Sequence, residues 1–560
     1  MSEPTFENID ELLHNRVRAS PDKEFLFDHA GGRIFTYREF EREVERAAEL
    51  LLSLGARKGE RVSLFLTNSV EYFILYFACF RVGVWAGPVN ALLKVQEVEF
   101  VINDSGATIA VTQPDLLSLL EEARKRLPAL RHIVIVGSGQ WAVGGDQGSA
   151  VSEPTQEPRA SDKSGDEESN QPTTADLPTA HCPLPTAHCP LPTAHCPLPT
   201  AHCPLPTAHC PLPTDEAVII YTSGTTGKPK GVLLTHGNFL SNAREIAEWL
   251  KLTERDRALM IMPLFHVNAL MTTGLAALWA GGSVVLAPRF TASHHWEMVE
   301  RYKVTYFGSV ATMLSMLINS YPEGVPQTDI SSLRFALCGS APVPVEVMKR
   351  FETLFHFPVI EGYGLSESTC RSTFNPIDGR RIGSVGLPIG NEMKVFDDKD
   401  SELPTGQIGE IVLRGSNIMK GYYQNEPATR EAFRSGWFHT GDLGYRDADG
   451  FFYVVDRKGD MIIRAGENIY PREIDEALYQ HPAIKDAATI GIPDPLYGEE
   501  VKSFVVLKEG ASASEEEIIA FCRERLADFK CPRRIEFLEE IPKGPTGKLL
   551  KRELALIHNE

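Results

Sequence analysis

The densest chemistry in the chain lies in Tyr221-Thr222-Ser223-Gly224-Thr225-Thr226-Gly227-Lys228-Pro229-Lys230-Gly231, directly after the apolar run Ala217–Tyr221. Glycines let backbone N–H groups approach an anion, hydroxyls donate to phosphate oxygens, and lysines balance the charge. Thr222, Ser223, Gly224, Thr225, Thr226, Gly227, Lys228 and Lys230 thus form a candidate polyphosphate cradle. It is not a Walker A loop, because only two residues separate Gly224 from Gly227 and a proline follows Lys228. A flexible Gly/Thr linker would need neither both lysines nor a strand leading in.

Further motifs follow in order: Pro263-Leu264-Phe265-His266, Cys338-Gly339-Ser340-Ala341-Pro342, Gly362-Tyr363-Gly364-Leu365-Ser366-Glu367, Trp437-Phe438-His439-Thr440-Gly441-Asp442, Asp456-Arg457-Lys458-Gly459-Asp460 and Pro545-Thr546-Gly547-Lys548. Singly several are weak, but their joint order resembles the adenylate-forming superfamily of acyl-CoA synthetases, luciferases and carrier-loading adenylation domains. The resemblance spans nearly the whole chain outside one insertion. It implies that ATP activates a carboxylate, which attacks the α-phosphate and expels pyrophosphate, in a site that screens negative charge and aligns the partners.

The resemblance also implies roles. Glu367 would ligate Mg²⁺, a hard ion suited to carboxylate oxygen. Tyr363 would lie against adenine, with Gly339, Ser340 and Ala341 lining the base and Gly364 beside it; Ser366 stands where the family usually has Thr and keeps the hydroxyl for the α-phosphate. Asp442 would accept from both ribose hydroxyls and Arg457 would add a fixed cation. Lys548 resembles the mobile lysine that reaches the α-phosphate and the substrate carboxylate. His266 falls where the family places an aromatic or His gate beside the acyl carboxylate; its alternative is a satisfied core histidine. His266, Val267, Asn268, Phe307, Gly308, Ser309 and Val310 resemble acyl-pocket walls, with Gly308 leaving room for a tail. No charge stands out there, so a neutral medium- or long-chain fatty acid is expected, with aryl acids next. Arg371, just beyond Glu367, could instead receive a second carboxylate or point outward. CoA is the expected acceptor; a carrier-protein thiol is the alternative, since its loading would use almost the same residues.

Two departures from the family pattern bear on domain movement. Gly459 occupies a hinge position where Asp or Lys is common, and Arg464-Ala465-Gly466 replaces a more usual double glycine near the pantetheine channel.

Positioning these groups requires a scaffold. Before the insertion, helix and strand patterns alternate: Thr36-Tyr37-Arg38-Glu39 has capping-box spacing, Phe40, Val44, Ala47, Leu51 and Leu54 follow at helical period, and strand-like Val62–Leu66, Val84–Val89 and Thr108–Thr112 are separated by helical segments. Such alternation indicates an α/β fold with a parallel-rich sheet. From about Gly406 short strands and turns take over, and after Asp456–Gly459 a smaller α+β pattern begins. The expected organisation is a large multi-sheet N-terminal adenylate-forming domain over 1–455, a hinge at 456–459 and a small mobile α+β C-terminal domain over 460–560.

Residues 139–215 read as a disordered insertion, Ser/Gly/Glu-rich and then repetitive: PTAHCPL recurs five times between Pro178 and Leu212. The repeat offers ten His and Cys ligands for a soft metal, which would suit a non-catalytic scaffold. The heptanucleotide CCCACTG read in three frames encodes the same seven residues, so slippage of a short DNA unit explains the repeat without selected ligand geometry. Two prolines per repeat exclude helix interiors and central strands. The cysteines outside it (Cys79, Cys338, Cys370, Cys522 and Cys531) have no paired spacing and read as reduced thiols.

With 56 Lys+Arg against 75 Asp+Glu, the net charge of −19 argues against nucleic acid or anionic lipid as a partner. Ala258–Pro288 carries no charge, yet Pro263, His266, Asn268 and Gly281-Gly282 interrupt it, so it reads as buried core rather than an integral membrane segment. Neither end carries a recognisable targeting signal, and the cytoplasm is the expected location.

Overall fold

Val62, Leu64, Ala86, Val89, Ile109 and Val111 are all essentially inaccessible to solvent, which is why their strands read as continuous apolar runs: the sheet that holds them is covered on both faces. The computed structural model describes residues 6–137, 140–144, 211–222, 229–325, 327–339, 343–544 and 549–558. Arg61–Phe65 pairs in parallel with Trp85–Val89 on one side and Ile109–Thr112 on the other, within a sheet of eight strands. Glu216–Thr222 joins this sheet beside Trp85–Val89, and Lys230–Thr235 returns antiparallel to it.

A second, seven-stranded sheet is parallel across Val359–Glu361, Phe335–Cys338, Tyr306–Ser309, Arg257–Met260, Ser283–Leu286 and Glu24–Asp28; Ile34–Thr36 turns antiparallel at its edge. A four-stranded antiparallel sheet carries Phe438–Arg446 and Phe452–Arg457. The smaller C-terminal domain is built on a five-stranded sheet around Ile484–Asp494 and Gly498–Leu507, with helices Pro471–Tyr479, Glu515–Arg523 and Lys551–His558. The molecule is therefore mixed α/β, with a large multi-sheet N-terminal domain and a smaller C-terminal one.

Local signals in the chain act as expected in several places. Thr36 Oγ1 accepts from the Glu39 N–H at 3.2 Å and Glu39 returns to the Thr36 N–H at 2.8 Å, so the capping box starts helix Tyr37–Ser53. Phe40, Val44, Ala47 and Leu51 form its buried stripe. The uncharged segment 258–288 is core: strand Arg257–Met260, a helical passage and strand Ser283–Leu286, all packed inside. Ala269–Leu275 is a π-helix and only Ala276–Trp279 is α-helical. Thr272 and Thr273 turn their hydroxyls onto the carbonyls of Asn268 and Ala269, both at 2.8 Å, where side-chain bonding loosens the regular ladder.

The stretch read as an insertion is shorter than expected at both ends. Gln140–Gly144 is a strand paired antiparallel with His132–Gly137. At the other end Asn8 Nδ2 donates to the Pro211 carbonyl at 3.0 Å, and Asp215 pairs with Lys58 at 2.7 Å. The PTAHCPL repeat up to Cys210 lies outside the described residues.

Candidate active site

Parallel strands deliver their following loops to one edge of a sheet, the place where α/β proteins gather ligand groups. Gly339 follows Phe335–Cys338, and Gly362, Tyr363 and Gly364 follow Val359–Glu361. A Cβ on Gly339 would lie 2.6 Å from the Gly362 carbonyl oxygen and 2.8 Å from Arg371 Cζ, so this position accepts only glycine. The two loops therefore touch backbone to backbone.

Tyr363 leads across to the four-stranded sheet. Its hydroxyl donates to Asp442 Oδ2 at 2.6 Å, and Arg457 Nε lies 3.1 Å from Asp442 Oδ1. Asp442 and Arg457 are also cross-strand partners on Phe438–Arg446 and Phe452–Arg457, which sets their side chains on one face. Burial pushes the Tyr363 phenol well above its ordinary pKa, and the adjacent Asp442 charge adds to the rise. The phenol stays a donor.

Glu367 sits on the short 3-10 turn Ser366–Ser368, whose backbone is held by the Met419 N–H donating to the Glu367 carbonyl at 2.8 Å. Its Oε1 accepts from the Tyr422 hydroxyl at 3.2 Å, and Lys230 Nζ stands 5.0 Å from the centre of the Tyr422 ring. Burial raises the Glu367 carboxyl, while the Tyr422 hydroxyl and the Arg457 charge pull it back. Thr222 and Lys230 are register partners at the last pairing of a hairpin in the eight-stranded sheet. Tyr422, on a strand paired with Lys230–Thr235, ties that hairpin to Glu367. Nothing in Gly421-Tyr422-Tyr423 marked Tyr422 as functional in the sequence; only the pairing brings it here.

Ser223, Gly224, Thr225, Thr226, Gly227, Lys228, Ser340, Ala341 and Lys548 lie outside the described residues. Among those expected to line the acyl pocket, His266 accepts from the Asn268 N–H through Nδ1 at 3.2 Å at the start of the π-helix. Val267 and Asn268 are buried, and Asn268 Oδ1 accepts from Thr272 at 2.9 Å. Val310 is buried at the start of helix Ala311–Ser320, and Ser309 donates to the Leu337 carbonyl at 2.8 Å.

Phe307 and Gly308 lie on the strand just before Val310. Phe307 packs against His295 and Phe357, with ring centres 4.6 and 6.2 Å away. Strand alternation puts its side chain on the face opposite that of Gly308. At Gly308 an added methyl would make only ordinary van der Waals contacts, with Thr273 Cγ2 at 3.6 Å and Met262 Cγ at 3.7 Å. Arg371 does not point outward. It is 2 % exposed, with Nη1 donating to the Gly362 carbonyl at 2.9 Å.

The arrangement presents paired acceptors, a fixed cation, an aromatic ring and a hard carboxylate oxygen within two linked clusters, the equipment for a nucleotide and its charge. Comparison with known proteins agrees. The AMP-binding enzyme family model matches residues 13–423, and the AMP-binding enzyme C-terminal domain model matches residues 473–548. A sulfoacetate–CoA ligase from Cupriavidus necator is 35% identical over 98% of this chain and 97% of the relative. A long-chain-fatty-acid–CoA ligase from Bacillus subtilis is 33% identical over 98% and 94% respectively. The crystal structure of the anthranilate CoA ligase AuaEII in complex with anthranoyl-AMP superposes with a TM-score of 0.82 at 28% identity, over 100% of this chain and 99% of that one. The chain belongs to the AMP-binding enzyme family, the adenylate-forming acyl-CoA synthetase superfamily. Within it the relatives mark an ATP-dependent, AMP-forming acid–CoA ligase, and their names differ in the acid.

Proposed function

We propose that this ligase works in two half-reactions on one set of residues. In the first, the substrate carboxylate attacks the α-phosphorus of ATP; a carboxylate–phosphorus bond forms as the bond to pyrophosphate breaks. In the second, the CoA thiol attacks the acyl carbonyl, loses its proton and displaces AMP. The observation that carries the nucleotide assignment is the Tyr363–Asp442–Arg457 constellation beside Glu367, in which a buried carboxylate is held between a phenol and a guanidinium.

Tyr363, Gly339 and Gly364, with Ser340 and Ala341, would flank adenine. Thr222 and Lys230, with Ser223–Lys228, would hold the phosphates, and Ser366 would reach the α-phosphate. Lys548 would neutralise charge building between α-phosphate and carboxylate, and His266 would gate the carboxylate. Glu367 would suit a Mg²⁺ that takes its other ligands from phosphate: it offers a hard carboxylate beside the Tyr422 bond, and the described residues contain no group of three acidic, His or Cys ligands that would bind a metal alone. When bound, Mg²⁺ supplies charge neutralisation at the phosphates. The C-terminal domain would swing about Gly459 between half-reactions. The five described cysteines are free and buried, in keeping with a reducing cytoplasm, and none of the described helices is long and apolar enough to cross a membrane.

For the acid, the expectation of a neutral medium- or long-chain fatty acid has the Bacillus subtilis relative in its favour. A specific observation favours a second reading, a short acid with an additional anionic group: the buried guanidinium of Arg371 beside Gly339 and Gly362. The sulfoacetate–CoA ligase relative supports the same reading. Pyrophosphate release from ATP across fatty, aryl and doubly anionic acids, with and without CoA, tests the proposal. Release with one acid class and CoA consumption are expected. No release with any acid would overturn it, and release without CoA consumption would move the acceptor to a carrier-protein thiol.

A further inference from the structure

Arg371 is among the largest fully buried side chains of the described residues, and none of these pairs a carboxylate with it. Of its five donors, Nη1 serves the Gly362 carbonyl at 2.9 Å, Nε has no hydrogen-bond partner among the described residues, and no described carboxylate forms an ion pair with it. Phe374 covers one face, its ring centre 5.3 Å from Cζ. Glu361 is near enough to feel the positive charge, but burial pushes its own carboxyl up to about 7, and it does not close on the guanidinium. A guanidinium cannot shed its proton to escape burial, so an uncompensated one is costly unless something negative arrives.

Its location says what arrives. The guanidinium packs on Gly339 and Gly362, the residues that follow two adjacent parallel strands, Phe335–Cys338 and Val359–Glu361. This is the carboxyl edge where the sheet presents its ligands. Gly362 immediately precedes Tyr363, which holds Asp442, so the cation is one peptide from the nucleotide cluster.

We propose that Arg371 receives a second anionic group of the acid, so that the substrate is a short acid with a carboxylate or sulfonate one or two carbons from the reacting carboxylate. The inference rests on the ligase reading above and names its substrate class. Arginine's fork matches both oxyanions bidentately. A buried site built for such a group rejects the analogue that lacks it far more strongly than an apolar pocket rejects an extra methylene.

The test is kcat/KM for pyrophosphate release with malonate, sulfoacetate, propionate and octanoate, on the full chain. Malonate or sulfoacetate should exceed propionate by about 100-fold or more, and either one leading supports the assignment. Arg371→Met should collapse that ratio toward one, Arg371→Lys should keep part of it, and added guanidinium ion should partly restore Arg371→Ala. If these variants fail to fold, the wild-type ratio still decides. Propionate or octanoate leading in the wild type would overturn the inference while the ligase reading stands. An unchanged ratio in a folded Arg371→Met would overturn the residue assignment. Silence with every acid would instead bring down the ligase reading itself, and this inference with it.

Discussion

Burial raises the Glu367 carboxyl pKa, and the Tyr422 hydroxyl offsets part of that rise. Removing the hydroxyl with Tyr422→Phe should therefore raise it further. The acid limb of the pH profile for pyrophosphate release should move to higher pH by under about one unit, because more of the carboxyl is then protonated at a given pH. Activity on the plateau should drop roughly 2–10-fold, the worth of one hydrogen bond. An unmoved acid limb would detach Tyr422 from Glu367. At this scale the chain was legible where a residue sits in a dense motif, as Glu367, Asp442 and Tyr363 do. Tyr422 was not, because 55 residues separate it from Glu367 and a Gly-Tyr pair has no chemistry of its own. Arg371 could be singled out by type, but whether it faced solvent or the sheet edge was beyond reach of its neighbours in sequence.

Among elements, the strand Val359–Glu361 ends on a carboxylate that faces the C-terminal domain. Glu361 is 2 % exposed, its Oε2 has no hydrogen-bond partner among the described residues, and the charges of Arg472 and Glu476 on helix Pro471–Tyr479 act on it. Glu476 also accepts from the Val345 N–H at 3.3 Å, so this helix and Val345–Phe355 meet beside it. With desolvation dominant, Glu361 titrates near about 7 when folded against 4.5 as an ordinary glutamate. The folded state then binds more protons over that window, so the stability contribution is full below about 4.5 and is lost as pH rises through about 7. Glu361→Gln should flatten this dependence and stabilise the protein by about 1–3 kcal/mol on the alkaline side, read from denaturant midpoints across pH. A parallel pH curve for the variant would contradict the assignment. Element types were largely readable in advance, since capping-box spacing and apolar runs are local. The π-helix at Ala269–Leu275 was not: its apolar periodicity suits an α-helix, and only the way Thr272 and Thr273 bond backward within the packed core distinguishes the two.

For the whole molecule, the proposed two half-reactions need the domains to move. Gly459 lies in the turn after Arg457, where Asp460 N–H donates to the Arg457 carbonyl at 3.0 Å. Its φ is outside the left-handed range and a Cβ would meet nothing within 4 Å, so the folded structure does not itself require glycine there. Gly459→Ala should leave stability within about 1 kcal/mol and pyrophosphate release in a single turnover unchanged. It should slow steady-state thioester formation about 2–10-fold, because alanine narrows the backbone states open to a swinging hinge. Equal loss in both half-reactions would remove the hinge role. Across this scale, the order of motifs along the chain by itself determined the family, the two-part architecture and the chemistry of ATP-dependent acid activation, because catalytic groups in short loops after strands leave local signatures. Tertiary structure alone decided what surrounds them: that Phe307 packs on His295 and Phe357, and that Arg371 lies buried with no counter-charge among the described residues. Those are properties of volume and dielectric, created only when distant segments pack together, and they are what points from a general acid ligase to a particular kind of acid.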